Sequence, residues 1–465
     1  MRLSHGSSAL SATFDDPNLV SAGGLAPVVA LAQSARLGDL AGEKLTLKAT
    51  GGVNPQVKVP ALVAGMVAGA DSIDDMDLLR HGGMGRLFTG IRAPSTLGTF
   101  LRGFTFGHVR QLDSVAAAFL TGLVGRTPLL AGADSLTYLD VDDTMRETHG
   151  YAKQGAGYGY TKVKGLNALI ATISTPIAAP VIGATRLRRG AVKSDRGAGS
   201  LVTQGLGIAR ACGAGGPDRS GLVLVRADSA FYCHAVIAAA RRGGARFSIT
   251  ARMDAAVKKA IAAIDEQAWT PIRYPHAVWD QEGQCWISDA EVAEIGFTAF
   301  TSRRRCDHIA ARLIVRRVKR LNPASVPDGQ SELFAAYRHH AVFTDSPQPM
   351  LEAETTHRQH AIIEQVNADL KNGPLAHLPS GSFAANSAWL VLATMAFNLT
   401  RAAGALASAF HAKATTGTIR AQLIAVPARL ARSARRLQLH LPRDWPWQTA
   451  WTGLFDATCG PPATT

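Results

Sequence analysis

Leu136-Thr137-Tyr138-Leu139-Asp140-Val141-Asp142-Asp143-Thr144 is an apolar run that closes on acid. Its β-branched and aromatic residues between leucines predict a buried strand. Strand alternation places Asp140 and Asp142 on one face and Asp143 on the other. A second run of the same make, Leu222-Val223-Leu224-Val225-Arg226-Ala227-Asp228-Ser229, also ends on an aspartate. Short β-rich runs are predicted at 136–142, 166–174, 178–187, 221–227 and 246–252, with helices near 198–212 and 230–242. Strands followed by helices predict an α/β core.

A third carboxylate, Glu364, lies in Ala361-Ile362-Ile363-Glu364-Gln365, inside one helix predicted over 348–372. Lys371 follows two turns on, on the same face. A lone strand-end aspartate is more often a cap or loop ligand than a reactive group. Two of them with a helix glutamate can hold two magnesium ions against a phosphodiester. Composition points the same way. Lys and Arg number 49 against 35 Asp and Glu, a formal charge of +14. Such a balance is the electrostatic footprint of a nucleic-acid binder.

Five cysteines, none in a C-x-x-C pair, argue against a zinc site or disulfide framework and suit a reducing cytosol. The start, MRLSHGSSALSATFDDPN, lacks a signal-peptide core. The most membrane-like run, Trp389 to Phe397, is too short to span a bilayer and reads as a buried helix.

Outward from the core, residues 1–125 read as a helical DNA-binding region. Pro94-Ser95-Thr96 is a helix start with Ser95 as N-cap, and the helix after it fits the second helix of a helix-turn-helix. Residues 130–252 make the first part of the core and 253–345 a β-rich insertion. The insertion carries Trp269, Tyr274, Trp279 and Trp286, and the basic stretches Arg303-Arg304-Arg305 and Arg312 through Arg320. Basic residues near tryptophans in an insertion favour nucleic acid, because rings stack on unpaired bases. Within that stretch Arg316, Arg317 and Lys319 are candidate DNA contacts. Residues 346–405 complete the core with the Glu364 helix. Residues 406–465 are expected to be a helical basic tail, with Arg429, Arg432 and Arg435/Arg436 on one helix face.

The segments LDVDDT, HGYAKQGAGYGYTKVKG, VRADSAFY (225–232) and IIEQVNADLK (362–371) together resemble the DDE transposases of bacterial insertion sequences. The nearest likeness is to the family numbered thirteen-eighty, related to the branch numbered four. The resemblance covers essentially the whole chain and implies an RNase H-like core. It implies Asp142, Asp228 and Glu364 as metal-holding catalytic residues, with Asp140 the fallback for the first. It implies two Mg2+ ions, for which Mn2+ can substitute. Lys371 would contact DNA. The related branch carries Tyr-x2-Arg-x3-Glu-x6-Lys; here Glu364 and Lys371 fit, while His357 and His360 replace the Tyr and Arg. The implied partners are double-stranded DNA, as transposon ends and target, and a second copy on that DNA, with no membrane. The implied location is the bacterial cytoplasm, at the nucleoid. The implied reaction is water attack on one strand, then attack by the freed 3′-hydroxyl.

Two rivals stand beside it. Asp140-Val141-Asp142-Asp143-Thr144 fits the D-x-D-x-T motif of haloacid-dehalogenase-like phosphatases, although the later acidic pair that such an enzyme needs is out of order. The other rival is a catalytically inactive DNA-binding protein.

Overall fold

The computed structural model describes all residues except 48–52, 150–151, 160–161, 273–278, 281–284, 287–289, 320–336, 434–435 and 461–465. The chain opens with helices α1 (Leu25–Ser34), α2 (Leu37–Lys44), α3 (Pro55–Ala68), α4 (Pro94–Arg102) and α5 (Phe106–Val124). Pro94 is the first residue of α4, and Ala93, not Ser95, sits at the N-cap. Proline's fixed φ suits the first helical position, where its missing N–H costs nothing.

The centre is a ten-stranded mixed sheet. Its first strands are β1 (Leu136–Glu147), β2 (Lys164–Ser174), β3 (Val181–Arg189), β4 (Leu222–Ala227) and β5 (Arg246–Thr250). β1, β2 and β3 pair antiparallel in sequence. β4 lies parallel to β1 on its other side, and β5 parallel to β4. The order is therefore β3-β2-β1-β4-β5. The strand expected to end at Asp142 runs on to Glu147, but its pairing with β4 stops at Val141.

The segment read as an insertion continues this same sheet. β9 (Tyr337–Thr344) pairs antiparallel with β5; β8 (Ile309–Lys319), β7 (Ala290–Ala299) and β6 (Thr270–Ile272) follow outward. Tyr274 and the side chains of Trp279, Trp286 and Lys319 lie outside the described residues.

Helices cover both faces. α6 (Ala198–Ala211) lies on the Leu139 face: a Cβ on its Gly205 would meet the Leu139 side chain at 3.0 Å. α7 (His234–Arg242) and α8 (Ala255–Ala262) follow β4 and β5. The helix expected over 348–372 is broken. α9 (Met350–Arg358) and α10 (Ile362–Lys371) are joined by a 3-10 turn at Gln359–Ala361. A 3-10 turn brings residues three apart into eclipse. Here it stacks His357 and His360, with centroids 6.3 Å apart.

α11 (Phe383–Ala407) is long and apolar enough to cross a membrane by length and composition, yet most of it is buried among other elements. It packs on β3 and on α3 and α5, so one hydrophobic cluster runs from the N-terminal helices through the sheet. Asn398 stitches it to β3, exchanging hydrogen bonds with Ile182 N and O at 2.8 Å each.

The tail corrects the expectation of a helical C-terminal region. The residues holding Arg429, Arg432 and Arg436 form an antiparallel pair, β10 (Ala428–Ser433) and β11 (Arg436–His440), extended by Leu19–Val20. Ala428 and Leu430 are buried in alternation with exposed Arg429, the period of a strand. Arg429 and Arg432, three apart, therefore point to opposite faces, and Arg435 lies outside the described residues. The tail is helical before these strands, at Thr416–Ile419 and Arg420–Ile424, and again after them in α12 (Gln448–Cys459).

Candidate functional site

Strand register creates the site. Asp140 is opposite Arg226 and Val141 opposite Ala227 in the parallel β1–β4 pair. One step on, where the β1–β4 pairing ends, Asp142 and Asp228 stand side by side on the same face. Asp142 accepts from the Asp143 N–H at 2.7 Å and from Asn367 Nδ2 at 2.7 Å. Asp228 caps the short turn Ser229–Phe231 by accepting from Ala230 N at 3.0 Å.

These two carboxylates are electrostatically unhappy. Burial, and next the nearby Asp228 charge, raise the Asp142 carboxyl to about 6 against the pull of the Asp143 N–H. Asp228 is exposed at its rim, yet the protein around it also pushes its carboxyl above the usual range, with Asp143 adding repulsion. No cationic side chain is bonded to either one among the described residues.

Asp140 is the opposite case. It is fully buried, and burial alone would raise its pKa, but Arg226 and then His360 outweigh that and hold it below the usual range. Arg226 Nε donates to Oδ1 at 2.6 Å and Nη2 to Oδ2 at 2.7 Å. The same guanidinium donates to Thr356 O at 2.7 Å and lies 3.9 Å from the centre of the Tyr138 ring. His360 Nδ1 is 3.1 Å from Asp140 Oδ1; since the carboxylate is ionised, the imidazole is the donor. Both oxygens of Asp140 are thus occupied. A D-x-D-x-T phosphatase needs this first aspartate free to attack phosphorus, so that reading is not supported.

α10 lies over the Asp140/Asp142 face. His360 reaches Asp140, Asn367 reaches Asp142, and the charge of Asp142 reaches Lys371. Burial, then repulsion from Arg146, lowers the Lys371 pKa. Glu364, one turn from His360 and one from Asn367, shares that face by helical spacing. Its carboxylate is exposed. Among the described residues no three Asp, Glu, His or Cys side chains are gathered to hold a metal ion. The structure therefore brings Asp142 and Asp228 together and leaves Glu364 outside their cluster. A third carboxylate moving onto two whose pKa values are already raised would be repelled in the absence of a cation.

His357 is buried in structure rather than presented to a ligand. Its nitrogens meet Ser248 Oγ at 3.0 Å and Thr250 Oγ1 at 2.9 Å, and burial drops its pKa to about 3, so it is neutral.

The other candidate contacts are already engaged. Arg317 is sandwiched between Trp269 and Tyr337, 4.2 and 4.5 Å from the ring centres, and donates to Glu266 and Glu291. Arg316 donates to Glu354 at 2.8 Å. Arg303, Arg304 and Arg305 are exposed.

Sequence reasoning missed Arg226, Asn367 and Arg146. Arg226 precedes Asp228 by two on the same strand face, and Asn367 follows Glu364 by three. Those spacings were the available signals.

The class that fold and site define is a mixed-sheet α/β protein with paired acidic residues where two parallel strands part. The chain belongs to the family described as transposase DDE domain group 1, which matches residues 4–457. No curated protein matches the chain.

Proposed function

We infer that this transposase cuts the ends of a mobile element and joins them to target DNA, using Asp142, Asp228 and Glu364 around divalent metal. The observation that carries this is the Asp142–Asp228 pair, two adjacent carboxylates with raised pKa and no bonded cation among the described residues. The strand order β3-β2-β1-β4-β5, three antiparallel strands followed by two parallel ones, supports an RNase H-like core. The likeness to the insertion-sequence family numbered thirteen-eighty stays with the sequence segments quoted above.

The donor set fits a hard cation. Asp142 and Asp228 supply anionic oxygen, which Mg2+ and Mn2+ prefer. Asn367 Oδ1 is buried beside Asp142 with no partner, an orphan acceptor that a cation or its bound water would satisfy. Asp142 and Asp228 would hold the metals and Glu364 would swing in from α10. Two bound metals would stabilise the attacking and leaving oxygens of the phosphodiester.

This chain's own residues do the rest. Arg226 fixes Asp140, and Asp140 holds the Nδ1–H of His360, so the imidazole stays at the mouth of the pair. Asn367 orients Asp142. Lys371 offers charge to a phosphate beside Asp142. Exposed Arg303, Arg304 and Arg305 extend the positive surface. A second copy bound to the paired ends, in the bacterial cytoplasm, completes the reading.

DNA flanking the coding region supplies the substrate. Asp228→Ala and Glu364→Ala should bind a fragment carrying one end as wild type does, yet fail to cleave it with Mg2+. Binding rests on many phosphate contacts and chemistry on a few ligands. Full cleavage by Asp228→Ala refutes the assignment.

A further inference from the structure

Arg146 lies four residues beyond Asp142 on β1, so alternation sets both on the face that α10 covers. Lys371 ends α10, one turn beyond the Asn367 that bonds Asp142. Arg146 repels the Lys371 charge, and Asp142 attracts it more weakly. Neither cation has an ion pair among the described residues, whereas Arg188, Arg226, Arg316 and Arg317 each meet a carboxylate. Arg146 Nε is buried and has no hydrogen-bond partner among the described residues. Thr148 Oγ1, two residues on, is buried and likewise has no partner among the described residues. A buried donor without an acceptor is costly, and so is a pair of like charges, unless an anion joins them.

We propose that Arg146 and Lys371 form a two-pronged site for one DNA phosphate, next to the phosphodiester at Asp142 and Asp228. A guanidinium and an ammonium can share the oxygens of a single phosphate, and one of those oxygens satisfies Arg146 Nε. This rests on the DNA-transposase reading. It adds a residue that grips the strand beside the cut rather than one that acts on the reacting atoms.

The test uses the full-length chain without metal and a labelled mixed-sequence duplex, with affinity measured across a salt series. Arg146→Met and Lys371→Met should each weaken binding roughly tenfold, the scale of a charge-assisted contact. The double variant should lose about 0.9 in the slope of log affinity against log salt, the value for one phosphate. The DNA-free Arg146→Met protein should melt no lower than wild type, because repulsion and a stranded donor have been removed. Arg146→Lys should recover part of the affinity. Unchanged affinity and slope in both single variants overturns the proposal. A slope loss of about 1.8 in the double variant also overturns it, since two separate phosphates are then involved. A lower melting temperature for Arg146→Met, with binding intact, assigns Arg146 to structure instead. A wild type that binds no duplex sinks the DNA reading itself.

Discussion

Two regions of one sheet carry dense charge and treat it in opposite ways. On β8, Arg316 and Arg317 are answered by Glu354, Glu266 and Glu291, and Arg317 is further enclosed by two rings. At the end of the β1–β4 pairing, Asp142 and Asp228 sit side by side, and among the described residues neither they nor the nearby Arg146 and Lys371 form an ion pair, although the Asp142 charge reaches Lys371. A count of charges treats both regions alike. The second holds two neighbouring carboxylates whose pKa values are raised and which have no ion-pair partner among the described residues, and such charge is what a ligand of opposite sign can use. The Asp140–Arg226 pair, two residues before the site on each strand, shows that neutralisation was available on the same strands.

The contrast predicts a graded series. Breaking an answered pair should cost the most. Arg226→Met strands Asp140 in the core, and loss of one partner of a buried pair typically costs about 3–5 kcal/mol. Chemical denaturation should show that loss, and adding Asp140→Leu should restore part of it. A stable Arg226→Met protein would mean that the pair does not anchor the site.

Removing unanswered charge should have the opposite sign. The folded-state pKa of Asp142, about 6, lies above its ordinary 3.8. Its contribution to stability is therefore present below about pH 4 and lost as pH rises through 6. Asp142→Asn lifts that penalty. The metal-free variant should exceed wild type at pH 8 by on the order of 2 kcal/mol, with the gain fading toward pH 4. A destabilised variant at pH 8 breaks the comparison.

The smallest effect sharpens it. If the β8 arginines are structural, Arg316→Met with Arg317→Met should lower stability by about 1–3 kcal/mol, as partners are left unpaired. The salt slope for duplex DNA should stay the same. A slope reduced by about 0.9 or more would return these residues to the DNA surface.

Much of this was legible in the chain. Alternation in Leu136–Thr144 and Leu222–Ser229 marked the two strands, and their aspartates fell where β1 and β4 part. Parallel register was not legible, because which residue faces Asp140 depends on a partner far off in sequence. Arg226 therefore read as a charge in an apolar run rather than as the residue that takes Asp140 out of contention. The tail misled because Arg429, Arg432 and Arg435 have helical spacing, while the alternation of Ala428, Leu430, Leu437 and Leu439 carried the real period. The 3-10 break after α9 had no proline or glycine to announce it. The Trp269–Arg317–Tyr337 stack joins residues from three separate segments, so one ring that looked free for bases, Trp269, is filled by the protein itself.

The central claim is that the Asp142–Asp228 pair is a cation site left open by folding. Its most direct test is Mn2+ binding followed by electron paramagnetic resonance, with and without duplex DNA, in wild type and in the Asp142→Asn, Asp228→Asn double variant. Wild type should take up Mn2+, and the double variant should lose at least about tenfold in affinity, the least expected when metal-site groups are removed. Equal Mn2+ binding by the two proteins would contradict the account.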